Sequence, residues 1–118
     1  RVEKFVNSIL EFEEVDERLY GNIIIAVTEG VTNAVVHGNR SDALKEVQLQ
    51  YNSSDTAIEF RIKDQGTGFN HKDIPDPTLP ENVKKLDGRG VFLISSLADQ
   101  IKFHENGSLL EMQFNLAI

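Results

Sequence analysis

The chain has 118 residues, 40% hydrophobic and 26% charged, with a net charge of −7, which describes one ordinary globular domain able to bury its own core. It has no cysteine, which excludes a disulfide scaffold, a thiolate metal site and a cysteine nucleophile and points to a reducing compartment, the cytoplasm. The acidic balance argues against duplex nucleic acid as a direct partner, and no apolar run approaches the roughly 20 residues that cross a bilayer, so no membrane is expected.

Val2, Phe5, Val6, Ile9, Leu10 and Phe12 recur at helical spacing and predict a first helix over 2–12. It is charged and amphipathic, with no cleavage site like that of a signal peptide. With no initiator Met at Arg1, the chain is expected to begin inside a longer polypeptide. After an acidic turn, Asp16 is placed to cap a second helix from about Glu17 to His37, with an apolar stripe of Leu19, Ile23, Ala26, Val27, Gly30, Val31, Ala34 and Val35. Gly38 stands where a helix C-terminal glycine would. Val47, Leu49 and Tyr51, then Ile58, Phe60 and Ile62, alternate with polar residues and predict an antiparallel hairpin with one buried face. Periodicity is lost from Asp64 to Asp87, a stretch holding all three prolines, and an irregular segment of that length in a compact domain is usually functional or disordered. A helix from about Gly90 and a closing hairpin of Ile101–Phe103 and Leu109–Leu116 complete the pattern. The expectation is one α+β domain, a two-layer sandwich with helices covering one face of a sheet.

Three places carry chemistry. Glu29, Asn33 and His37 are spaced four apart, so on an unbroken α-helix they share nearly one face. A Glu there can take a proton from a hydroxyl, and an Asn oxygen suits Mg²⁺ held mainly by phosphates and water; the plainer alternative is a solvated polar stripe. Next, Asp64-Gln65-Gly66-Thr67-Gly68-Phe69 follows a strand. Its glycines permit close backbone approach, and the Asp64 carboxylate can accept a hydrogen bond from an exocyclic amine such as that of adenine. Third, Gly88, Arg89 and Gly90 precede a helix, whose free N–H groups make an anion site, although the lysine of a phosphate-binding loop is missing. His37, His71 and His104 share no zinc-like spacing, and no serine sits in a hydrolase elbow.

In combination and in order, ExxxNAxxHG on a helix, DxGxGF after a strand and GRG at a helix start resemble the ATP site of the superfamily that joins gyrase, the heat-shock chaperones, histidine kinases and MutL. EGVTNAVVHGN looks most like the anti-sigma-factor serine kinases of bacteria, and the resemblance covers about Glu3 to Met112. It implies a Bergerat-type fold with a mixed, mostly antiparallel sheet, and a single histidine-kinase-like ATPase domain over 1–118 with a lid at about 70–87. The first strand of that fold has no recognisable counterpart in the chain. The implied chemistry is Mg²⁺-dependent use of ATP, with Glu29 as general base, Asn33 as Mg²⁺ ligand and Asp64, Gly66 and Gly68 around adenine. Gly88, Arg89 and Gly90 would close on the phosphates, His37 would stand beside the nucleotide, and Ser108 is the candidate adenine-side hydroxyl on the last hairpin. The implied function is a serine/threonine-protein kinase that phosphorylates an anti-anti-sigma partner of the STAS type and binds a sigma factor; a homodimer is compatible with it. Alternatives are an ATP-gated anti-sigma module without turnover, or the ATPase domain of a histidine kinase.

Overall fold

The computed structural model describes residues 1–66, 89–104 and 108–117, with the backbone alone for residues 89–92. Helix α1 spans Val2–Phe12, as its periodicity predicts, and buries Val6, Ile9 and Leu10 while Phe5 and Phe12 stay exposed. It ends in a Schellman turn. The Glu14 N–H donates to the Glu11 carbonyl and the Val15 N–H to the Leu10 carbonyl, with Glu14 at φ 56°, where glycine is usual. Val15 and Leu10 are both buried, the apolar pair that accompanies this motif.

Asp16 then accepts from the Arg18 N–H and caps a 3₁₀ turn, Glu17–Leu19, which runs into α2, Tyr20–Asn33. The helical run does not end as a regular helix. Ala34–Gly38 forms a π turn, in which the Asn39 N–H reaches back to the Ala34 carbonyl. That turn changes the angular step of the helix. Ile23, Ala26, Val27, Gly30 and Ala34 are buried as the stripe predicts, but Val35 has turned outward to 43% exposure.

The run Glu17–Gly38 is 22 residues, with a window of mean hydropathy 1.3, so by length and composition it passes for a membrane span, which the sequence reading did not expect. Its apolar stripe lies in the same core as the sheet, as in the central helix of a folded domain.

The described strands are β1 (Gln48–Ser53), β2 (Ala57–Lys63), β3 (Gln100–His104) and β4 (Leu109–Asn115), in sheet order β1-β2-β4-β3. Every neighbouring pair is antiparallel. Register places Leu49 opposite Ile62, Phe60 opposite Met112 and Ile101 opposite Met112. One face is therefore apolar, and α1, α2 and the third helix, α3 (Arg89–Leu97), share a single core with it. Phe60, Ile58, Ile62 and Met112 are almost fully buried there, each worth about 1.5–3 kcal/mol relative to exposure. The other face carries Glu59, Arg61, Lys102, His104 and Glu111. Glu111 pairs with Arg61 at 3.5 Å and with His104. Glu59 hydrogen-bonds Glu111; burial and this neighbour push its carboxyl up, while Glu111, despite burial, is held down by Glu59 and His104.

Candidate functional site

The C-terminal end of α2, the π turn and the end of β2 meet at one corner of the molecule. Glu29 and Asn33 lie within α2, four residues apart and half-buried. His37 belongs to the π turn that follows and is exposed.

Asp64 directly follows β2 and is only 7% exposed. Its N–H donates to the Ser108 carbonyl at 2.9 Å, which continues the ladder towards β4. Its Oδ1 accepts from the Gly66 N–H at 2.8 Å. Burial pushes the Asp64 carboxyl above the usual carboxylate range, and the Gly66 N–H and the charge of Lys45 pull it part of the way back.

Two glycines make this seat possible. A Cβ on Gly38 would collide with the Asp64 carboxylate, and a Cβ on Gly66 would collide with the Gly38 carbonyl. Gly38 is therefore present for close approach. The helical run does end at Gly38, as its place in the sequence predicts, but its φ lies outside the left-handed region that a C-terminal helix glycine usually adopts.

The corner is tied together by residues that the sequence reading passed over. The Gln65 N–H donates to Asn39 Oδ1 at 2.7 Å, Asn39 Nδ2 donates to the Glu46 carbonyl at 3.0 Å, and the Glu46 N–H donates to Gln65 Oε1 at 2.9 Å. Asn39 is 2% exposed, a buried amide with both ends satisfied. Nothing in HGNRSD separates such an asparagine from a loop residue. The signal was its place after Gly38, where α2 hands the chain over to the loop. Arg40 and Ser41 follow it in left-handed backbone, at φ 53° and 57°.

Of the other sequence-predicted residues, Arg89 and Gly90 open α3, so their backbone stands at a helix N-terminus. Ser108 is buried and precedes β4. Gly68, Gly88, His71 and the segment 70–87 lie outside the described residues, as does the turn 105–107. Among the described residues no three His, Asp or Glu side chains gather as a metal cage.

The corner thus sets a buried strand-end carboxylate against a helix end, with half-buried Glu29 and Asn33 on the same helix. The histidine kinase-like ATPase domain family matches residues 1–114, and the chain belongs to it. Proteins called serine-protein kinase RsbW are similar to it at a finer level. That of Listeria innocua serovar 6a is 30% identical over 86 residues, 68% of this chain and 55% of the relative. Those of Oceanobacillus iheyensis and Staphylococcus epidermidis are 33% and 34% identical over 94 and 96 residues, in each case 75% of this chain and 60% of the relative. The chain thus spans somewhat over half the length of the curated relatives it matches.

Proposed function

We propose that this domain binds ATP with Mg²⁺ and transfers the γ-phosphate to a serine or threonine of a STAS-type anti-anti-sigma protein, in the cytoplasm, while also holding a sigma factor. The observation that carries the reading is the Asp64 seat, a desolvated carboxylate fixed between two positions where any Cβ would collide. Both spaces are filled by the chain's own atoms, so the glycines serve to seat this carboxylate, the acceptor that the exocyclic amine of a base requires. Family membership and the relatives named as serine-protein kinases support the same chemistry.

In this reading Asp64 orients the base, and Gly66 with Gly68 lets the chain pass close to it. Glu29, half-buried on α2, accepts the proton of the incoming hydroxyl as its oxygen bonds to the γ-phosphorus and the bond to ADP breaks. Asn33, one turn further along, holds Mg²⁺. Phosphate oxygens and water would supply the remaining ligands, as is usual for this ion. Bound there, the ion offsets charge developing on the phosphates. Arg89 and Gly90, where α3 begins, would offer backbone N–H groups to the same anion, with Gly88 beside them in sequence. His37, exposed on the π turn, flanks the nucleotide, and Ser108 faces the base from the last hairpin.

Calorimetry of ATP binding with and without Mg²⁺ tests the site. The unaltered chain is expected to bind, Asn33→Ala to lose the Mg²⁺ dependence, and Glu29→Ala to bind normally yet transfer no phosphate to a STAS-type substrate. A chain that binds no nucleotide would sink the proposal.

A further inference from the structure

Asn39, Glu46 and Gln65 close a ring of three hydrogen bonds that joins the π turn, the segment before β1 and the turn after β2. We propose that this clasp is the positioning device of the base seat, with Asn39 its central residue, and that it sets discrimination between adenine and guanine. The inference rests on the reading of Asp64 as the acceptor for the base.

The clasp fixes Gln65, the residue between Asp64 and Gly66. Asp64 is held on its other side by the Ser108 carbonyl, so its carboxylate has one place to stand. Adenine offers an amine donor where guanine offers a carbonyl acceptor. A carboxylate that cannot retreat rejects the second acceptor, whereas one that can swing or admit water tolerates it. Buried polar groups built to match one partner discriminate strongly because the wrong partner leaves them unpaired. The clasp also closes over Arg40 and Ser41, two successive left-handed residues that would relax if it opened.

The test compares Mg²⁺-ATP with Mg²⁺-GTP by calorimetry for the unaltered chain, Asn39→Ala, Gln65→Ala, the double variant and Asp64→Asn. Loss of two ring bonds in Asn39→Ala is expected to narrow the ATP/GTP affinity ratio about 10-fold, and loss of one in Gln65→Ala about 3-fold. The double variant is expected to be no worse than Asn39→Ala, since the two side chains act in one ring. Gln65 is exposed, so its variant keeps the test alive if Asn39→Ala fails to fold. If Asp64→Asn collapses the ratio while the clasp variants hold it within about 2-fold, the clasp is only structural and the inference falls. If Asp64→Asn also leaves the ratio intact, the base-seat reading falls, and the inference with it.

Discussion

Gly30 and Gly38 lie eight residues apart on one helical run, and both let it approach the sheet closely. At Gly30 an added Cβ would stand 2.6 Å from Ile62 Cδ1 and 2.9 Å from Met112 Cε, the ends of two flexible apolar side chains. At Gly38 it would meet the Asp64 carboxylate, and Gly66 in turn abuts the Gly38 carbonyl. The same device, an omitted side chain, serves burial at one end of the run and places a polar group at the other. If the Asp64 seat binds the nucleotide as proposed, stability and binding should separate along a single helix.

Gly66→Ala tests this most severely, because the obstacle is a backbone carbonyl in the π turn, which cannot swing aside. Loss of about 3 kcal/mol or more of stability is expected, with ATP affinity falling by more than about 100-fold, read by thermal melting and calorimetry. Gly38→Ala meets the Asp64 side chain, which moves aside only by giving up its bond from the Gly66 N–H. Its expected signature is a drop of about 10- to 100-fold in ATP affinity with less than about 1.5 kcal/mol lost from the fold. Gly30→Ala should do the reverse. Overpacking outweighs the gain in helix propensity to leave a net loss of about 1 kcal/mol, and affinity measured on folded protein stays within about 2-fold. A Gly30→Ala that weakened ATP, or a Gly38→Ala that only melted, would break the comparison.

Asp64→Asn sharpens it through a change of sign. Burial raises the folded-state pKa of Asp64 above its ordinary value of 3.8. Between the two the native state binds more protons than the unfolded state, so stability falls as pH rises through that window and the whole penalty is present at neutral pH. The asparagine keeps an oxygen for the Gly66 N–H and cannot ionise. Its melting temperature is expected to exceed that of the unaltered chain at pH 7, the excess fading as pH drops towards 3.8 and gone below it, while ATP binding weakens.

Much of this frame was legible in the residues. Apolar spacing gave the extent of α1 and most of the buried stripe of α2, and strict alternation gave the β1/β2 hairpin with its inward residues. The motif order placed Glu29, Asn33 and Asp64 at one site, and the fold brings their elements to one corner. Val35 shows where pattern reading stopped. Spacing by fours assumes an unbroken α-helix, and the π turn at Ala34–Gly38 leaves no mark in hydrophobicity. Asn39 escaped for another reason. Its burial comes from partners at Glu46 and Gln65, which a reading of neighbouring residues cannot join.

The clasp has a further consequence in the order of folding. Its bond from Asn39 to Gln65 spans 26 residues and forms only once α2 and the β1/β2 hairpin have both arrived. Contacts of that kind tend to close after the folding barrier is crossed. Asn39→Ala should accordingly leave the refolding rate nearly unchanged and speed unfolding, giving a φ-value near zero in a chevron experiment. Bound nucleotide would then act as a brake on unfolding, lengthening the lifetime of a domain that had already finished its chain topology without it.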